Sequence, residues 1–148
     1  TEKPRRFPWH QDNGYGFVEP QQYLTCWIPL ADVYEGNGCP WVVPKIHRNG
    51  TLFHEYVEPL GYECFPDHPD AVPVEAKVGS IVIFSSLTPH KTGPNLSGET
   101  RKAYIIQYAP DRAELLQGEP QTGPPHSRVS ADEPERQFPI LIDGVTAS

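Results

Sequence analysis

Residues 22–30, Gln-Tyr-Leu-Thr-Cys-Trp-Ile-Pro-Leu, are the clearest strand signal in this chain. Aromatic and β-branched residues favour strands, and alternate side chains of a strand point to opposite faces. Tyr23, Thr25 and Trp27 therefore share one face, and the opposite face is also mostly apolar. We expect a strand that is buried on both faces and that ends near Pro29, at a sheet edge or bulge.

Further strand signals follow at short intervals, each bounded by Gly, Pro or Asn. They lie at residues 41–43, 72–76, 80–84 and 101–109. Residues 80–84 are a mostly apolar run typical of a core strand. The stretch 58–73 is rich in proline, and we expect a loop there that serves as a lid or pocket wall.

The pattern favours an all-β fold. Among 148 residues there are 18 prolines and 12 glycines, and no helical apolar period persists. Jelly roll and immunoglobulin-like sandwich are the main choices. We expect one domain, with a core over residues 1–110 and a polar tail over 111–148 that carries a docking segment near 138–142.

Composition argues against several classes of partner. A net charge of −7 and a single basic run at Lys3, Arg5 and Arg6 disfavour nucleic acid and favour a small-molecule partner. No apolar stretch approaches the roughly 18 residues of a membrane span, so we expect a soluble, cytoplasmic protein. Three cysteines without a C-x-x-C pair predict free thiols.

Histidine and aspartate residues carry the strongest chemical signal. His10 and Asp12 are two apart on a segment expected to be extended, so their side chains point to the same side. A distant histidine, His90, would complete a 2-His-1-carboxylate set, which is typical of non-haem Fe(II) oxygenases. The alternative is a chance triplet, with His90 capping a turn.

Arg101 strengthens the metal interpretation. A turn at residues 93–98 separates it from His90, and a hairpin would bring the two side chains together. A dicarboxylate chelating the metal at one end would then pair with the guanidinium at the other. The alternative for Arg101 is a solvated strand start.

Several motifs together resemble the phytanoyl-CoA dioxygenase family of Fe(II)/2-oxoglutarate-dependent oxygenases. The resemblance covers residues 8–110. Its motifs are His10-Gln11-Asp12 with Tyr15, the run Leu24–Leu30, Asn37-Gly38, Val42-Val43-Pro44 with His47, and His90-Lys91-Thr92-Gly93-Pro94-Asn95 with Ser97 and Arg101.

The resemblance implies a double-stranded β-helix, the cupin-like jelly roll, with iron at its mouth. His10, Asp12 and His90 would be the iron ligands and Arg101 would bind 2-oxoglutarate. Thr92 would assist Arg101, and Trp27 and Gln11 would line the cosubstrate pocket. The implied activity is a dioxygenase that uses Fe(II), 2-oxoglutarate and O2. It would hydroxylate or otherwise oxidise a small molecule, with release of succinate and CO2.

Two alternatives stay open at this point. One is a cupin-type metalloprotein that does not use 2-oxoglutarate, and the other is a truncated, non-catalytic binding domain. The family has a segment before its His-x-Asp motif that this sequence does not contain, so we expect a barrel incomplete on its N-terminal side. Either the natural protein is longer, or this short form closes its barrel by other means, such as a homodimer.

The remaining polar candidates are expected to be structural or solvated. His47 matches a turn position, and His54, His68 and His126 are expected in solvated loops or the tail, with His54 able to reach a substrate. Ser86 lacks the Gly-x-Ser-x-Gly context of a nucleophile.

Overall fold

The computed structural model describes residues 6–118, 123–132 and 140–147. Within these ranges the chain forms short strands and 3-10 turns and no α-helix, and nothing in them is a helix long and apolar enough to cross a membrane. The strands are β1 (Val18–Glu19), β2 (Leu24–Pro29), β3 (Pro40–Val42), β4 (Glu55–Val57), β5 (Gly61–Glu63), β6 (Val72–Pro73), β7 (Val82–Ser85), β8 (His90–Thr92), β9 (Ala103–Tyr108), β10 (Glu114–Gln117), β11 (Ser127–Ser130), β12 (Leu141–Ile142) and β13 (Val145–Thr146). The 3-10 turns are Asp12–Gly14, Glu35–Asn37 and Ile46–Asn49.

Two antiparallel three-stranded sheets form the centre of the fold. One has the order β7-β2-β9 and the other has the order β6-β3-β8. From β6 to β9 the chain crosses from one sheet to the other at every step, which is the winding of a double-stranded β-helix. The predicted jelly-roll class is therefore confirmed.

The main core lies between these two sheets. Trp27 of β2 and Phe84 of β7 pack there with Val33 and Cys39, and Trp41 of β3 closes the cluster from the second sheet. Trp27 is 5% exposed and Phe84 is 9% exposed. Burying each such side chain stabilises the fold by about 1.5–3 kcal/mol relative to leaving it in water.

The register of β2 decides which side chains meet inside. Residues directly opposite in antiparallel strands lie on the same face of the sheet. Thr25 is opposite Phe84 of β7 and Gln107 of β9, and Trp27 is opposite Ile105. Thr25 is therefore a buried polar residue beside the aromatic core, and the exposed Gln107 lies next to it on the same face.

The outer face of the same sheet is open in the described part of the chain. Leu24 is 50% exposed, Ile83 is 60% exposed and Tyr104 is 58% exposed. The prediction that β2 is buried on both faces is wrong for these ranges, because Leu24 is exposed and Cys26 and Ile28 on the same face are only partly buried. Apolar residues alone do not reveal which face of a strand finds a partner.

A third sheet, of order β1-β10-β11, uses sequence beyond residue 110. Val18, Tyr23, Ala113 and Ala131 form its own buried cluster. The expected polar tail thus contains two strands, β10 and β11, that return to the body of the fold, where Leu115 packs against this cluster. The division at residue 110 stays a prediction. Phe138 and Pro139 of the expected docking segment lie outside the described residues, as do Lys3 and Arg5 of the basic run.

Two connections differ from expectation. The stretch 58–73 is not all loop, since β4 and β5 pair as a hairpin with Tyr56 opposite Tyr62. Residues 93–102 do not form a hairpin between β8 and β9, because β8 pairs with β3 and β9 pairs with β2. This connection instead carries the chain from one sheet to the other.

Candidate metal centre

His10 and His90 are brought together by their backbones. Each N–H donates a hydrogen bond of 2.9 Å to the carbonyl oxygen of the other residue, as an isolated antiparallel bridge beside β8. Opposed residues of such a pair project to the same face. The two imidazole rings consequently lie with their centroids 4.2 Å apart.

Asp12 reaches the same point through the extended conformation of Gln11, with φ −104° and ψ 140°. Its Oδ1 lies 3.7 Å from Nε2 of His10 and 3.6 Å from Nε2 of His90. One donor atom from each of the three residues lies within 4.8 Å of the others. Three side chains predicted as metal ligands therefore converge on one point.

Hydrogen bonds orient both imidazoles towards that point. Nδ1 of His10 contacts the carbonyl oxygen of Pro8 at 2.9 Å, and Nδ1 of His90 contacts that of Thr88 at 3.0 Å. A carbonyl accepts, so each Nδ1 carries the proton and each neutral ring turns an Nε2 lone pair towards Asp12.

Burial also keeps these rings neutral. It lowers the pKa of His10 to about 3, with a further lowering by the nearby His90, and it lowers the pKa of His90. Metal binding needs unprotonated imidazole and ionised carboxylate. Two neutral Nε2 atoms and one carboxylate oxygen fit a divalent first-row metal such as Fe(II), and they leave other coordination positions open.

The second oxygen of Asp12 has its own partner, which sequence reasoning missed. Oδ2 accepts a hydrogen bond from the hydroxyl of Thr25, whose Oγ1 lies 3.4 Å from Nε2 of Gln107. The available signal was Thr25 between the aromatic residues Tyr23 and Trp27 on one face of the predicted strand. A buried hydroxyl needs a hydrogen-bond partner, so this threonine predicts a polar neighbour on that face of the sheet.

Arg101 lies beside the centre with an unsatisfied donor. Its guanidinium carbon is 5.9 Å from the centroid of Trp27, and burial lowers its pKa from the ordinary arginine value. Its buried Nε has no hydrogen-bond partner within the described ranges. Arginine keeps its charge in proteins, so this donor fits an anionic ligand.

A cavity of about 490 Å³ is lined by Arg101 and by a residue of β8, the strand that begins at His90. Thr92 and Arg101 both line it, together with Phe7, whose ring is 4.7 Å from that of His10. The predicted residues Arg101, Thr92 and Trp27 therefore lie in one region, although the expected hairpin is not what joins them.

The structure gives Gln11 a different role from the predicted one. Its side chain is fully buried, and Nε2 donates to the carbonyl oxygens of Gly50 at 3.0 Å and Leu87 at 2.6 Å. Its Oε1 accepts from the backbone N–H of Leu52 at 2.6 Å. With these bonds the amide joins two loops, so its contacts support a structural function and not the lining of a cosubstrate pocket.

His54 is buried and not solvated as expected. It is 2% exposed, its Nε2 accepts from the backbone N–H of Gln11 at 3.0 Å, and burial lowers its pKa. Ser86 is also fully buried, and its hydroxyl donates to the carbonyl oxygen of Gln21 at 2.6 Å. Both residues support the loops behind the centre.

A second cavity, of about 340 Å³, lies next to Tyr15. Tyr15 lines it, and the Tyr15 ring is 5.2 Å from the His10 ring. The wall contains no charged side chain among the described residues, and its other members are Gly14, Gly16, Phe17, Tyr62 and residues 115–118.

The fold is a double-stranded β-helix in which two imidazoles and one carboxylate converge, with a half-buried arginine in the same region. These features define a class, that of jelly-roll proteins with a candidate 2-His-1-carboxylate centre. The family follows from the sequence. A family model described as Phytanoyl-CoA dioxygenase (PhyH) matches residues 1–103, and the chain belongs to this family. The predicted family is confirmed.

Individual relatives agree with this assignment. The chain is 34% identical over 104 residues to phytanoyl-CoA dioxygenase of Arabidopsis thaliana, which covers 66% of this chain and 36% of that protein. It is 30% identical over 108 residues to methylphosphonate hydroxylase of Gimesia maris, covering 67% of this chain and 37% of that protein. The chain thus spans little more than a third of the length of these relatives.

Solved structures show the same fold. EvdO2 from Micromonospora carbonacea var. aurantiaca matches with a TM-score of 0.64 and 28% identity, covering 71% of this chain and 45% of that one. A structure of EvdO2 complexed with 2-oxoglutarate matches with the same TM-score of 0.64 at 24% identity, covering 90% of this chain and 50% of that one.

Proposed function

We propose that this chain forms the metal and cosubstrate site of an Fe(II)/2-oxoglutarate-dependent dioxygenase. The reaction would hydroxylate or otherwise oxidise a small molecule, with release of succinate and CO2. One observation carries the proposal. The buried Nε of Arg101 has no partner among the described residues, and Arg101 shares a cavity with Thr92, which lies two residues after His90 of the convergent set.

The ligand roles follow from the contacts. Nε2 of His10, Nε2 of His90 and Oδ1 of Asp12 would hold the metal, because these atoms face one another while the Nδ1 atoms are bound to backbone carbonyls. Bound Fe(II) supplies the activation of O2. The protein contributes a fixed geometry and a partly enclosed site.

The cosubstrate roles rest on charge and position. Arg101 would pair with the distal carboxylate of 2-oxoglutarate as a planar fork, with the Thr92 hydroxyl beside it and the Trp27 ring against the guanidinium. Arg6 also lines the cavity, but Glu63 neutralises it through an ion pair of 2.5 Å. Among the described residues that line this cavity, Arg101 is thus the cation left for a dicarboxylate.

The second cavity, beside Tyr15, is the proposed substrate side of the centre. Its wall combines aromatic rings with backbone and amide groups and has no charged side chain among the described residues. Such a wall suits a small, uncharged molecule. The absence of a nucleic-acid partner stays an expectation, drawn from the net charge of −7.

An anaerobic titration tests the proposal. Adding Fe(II) and then 2-oxoglutarate to the folded chain is expected to produce a weak visible charge-transfer band that saturates with 2-oxoglutarate. Glutarate, which has both carboxylates but no keto oxygen, should give no band.

The same titration separates the alternatives. Fe(II) binding without any band would contradict the use of 2-oxoglutarate and favour a cupin-type metalloprotein. Failure of the folded chain to bind Fe(II) would favour a non-catalytic binding domain. A homodimer and a cytoplasmic location stay predictions from the sequence.

A further inference from the structure

We propose that Thr25, supported by Gln107, is a positioning residue that holds Asp12 as a one-oxygen metal ligand. The inference rests on the proposed metal site. It concerns how the carboxylate is oriented within that site, and no metal ligand is added to the three already named.

The two oxygens of Asp12 have different surroundings. Oδ1 faces both histidine Nε2 atoms, at 3.7 and 3.6 Å. Oδ2 accepts the hydrogen bond of Thr25. A carboxylate whose second oxygen is bound elsewhere presents one oxygen to a metal.

The direction of the hydrogen-bond chain is set by its donors. Gln107 Nε2–H can only donate, and it does so to Oγ1 of Thr25 at 3.4 Å. The single hydroxyl proton of Thr25 is then directed to Asp12, which is an acceptor when ionised. Each member of the chain stabilises the carboxylate in its charged, metal-binding form.

The fold holds Thr25 firmly in this position. It is 2% exposed in the middle of β2, with Phe84 and Gln107 directly opposite on the two neighbouring strands. The 3-10 turn that begins at Asp12 lies against the inner face of this sheet, so the strand and the turn approach through this hydrogen bond.

The consequence concerns open coordination positions. A 2-His-1-carboxylate centre with a one-oxygen carboxylate keeps room for a bidentate ligand and one further molecule. If Asp12 rotated to chelate through both oxygens, one of those positions would be lost. Thr25 opposes this rotation because it would break the hydrogen bond to Oδ2.

The test compares Thr25→Val with Thr25→Ser. Valine keeps the branched shape and removes the hydroxyl, whereas serine keeps the hydroxyl. Partners that orient metal ligands typically change metal affinity by about 10–100-fold. We expect Mn(II) to bind about 10–100-fold more weakly to Thr25→Val, while Thr25→Ser restores binding. The absorption spectrum of bound Co(II) should change in Thr25→Val alone.

A second variant protects the test against misfolding. Gln107 is exposed, so Gln107→Leu should fold and weaken Mn(II) binding in the same direction by a smaller factor. Unchanged affinity and an unchanged Co(II) spectrum in both Thr25→Val and Gln107→Leu would overturn the positioning role and leave the metal site intact. Absence of Mn(II) binding by the unsubstituted chain would overturn the proposed function, and this inference with it.

Discussion

His10 and His90 exchange both of their backbone hydrogen bonds, each N–H donating to the other's carbonyl oxygen at 2.9 Å. This pairing places two side chains from distant parts of the sequence on one face, where Asp12 meets them. The backbone bonds do not depend on the imidazoles. Removing one ring should therefore alter the candidate site without separating the two segments.

Replacing His90 by alanine tests this separation of roles. Removing a residue that only orients a metal ligand typically lowers metal affinity by roughly 10–100-fold. His90→Ala removes a ligand itself, so its affinity for Fe(II) or Mn(II) should fall by more than this. Competition with a chelating dye measures the affinity. His47→Ala is the matched control, since His47 lies in the turn Ile46–Asn49, apart from the three converging residues. Equal affinity in His90→Ala and the unsubstituted chain would contradict the ligand role.

Arg101→Ala should raise the concentration of 2-oxoglutarate needed for half-saturation by about 10–100-fold, because a hydrogen bond between charged groups contributes roughly 1.5–3 kcal/mol. Arg101→Lys should recover part of this, since a point charge replaces a planar fork. The charge-transfer band measures saturation, and Arg48→Ala, at an exposed position, is the control. An unchanged half-saturating concentration of 2-oxoglutarate in Arg101→Ala would favour a metalloprotein that does not use 2-oxoglutarate.

Gly14 and Gly16 form a matched pair for stability. A Cβ added at Gly14 would lie 2.2 Å from Cε1 of the buried His54 ring, whereas a Cβ at Gly16 would meet nothing within 4 Å. Gly14→Ala should therefore destabilise the fold by about 1–3 kcal/mol, the usual cost of overpacking. Gly16→Ala should leave the free energy of unfolding nearly unchanged. Urea unfolding measures both, and equal effects would contradict the packing described.

Acidification should destabilise the metal-free chain partly through His54. Burial lowers its folded-state pKa below the ordinary value of 6.5, so between these two values the unfolded chain binds more protons. Stability is therefore fully present above pH 6.5 and falls as the pH drops towards the folded pKa. Protonation of Nε2 would also break the hydrogen bond that the backbone N–H of Gln11 donates to it.

Urea midpoints at pH 7.5 and 5.5, with a chelator present, measure the pH dependence of stability. The His54 ring resonance in NMR reports its protonation directly. A folded-state pKa of His54 at or above the ordinary value of 6.5 would contradict this prediction.

Much of the candidate site could be predicted from residue order. His10 and Asp12 are two apart on an extended segment, and that local geometry alone turns both side chains the same way. The strands around Trp27 and Val82 were likewise predictable, because their β-branched and aromatic runs are local signals. The roles of Thr92 and Trp27 came from the family resemblance.

Other features depended on partners distant in the sequence. Gln11 lies between two predicted ligands, and only the positions of the Gly50, Leu52 and Leu87 backbones show that its amide is fully used. Thr25 became visible as a partner of Asp12 only when β2 packed against the turn at Asp12. The approach of Arg101 to the centre came from a crossing between sheets and not from a hairpin.

By itself, therefore, the sequence determined the β class, the family and the three converging side chains, because strand alternation and the His-x-Asp spacing act over a few residues. The tertiary structure alone decided how the two histidines pair, which oxygen of Asp12 accepts the Thr25 hydrogen bond, and which face of β2 is open. These depend on hydrogen bonds and packing between segments far apart in the chain. No local pattern encodes them, since a polar side chain is equally able to face water, a backbone carbonyl or a metal until the fold supplies its neighbours.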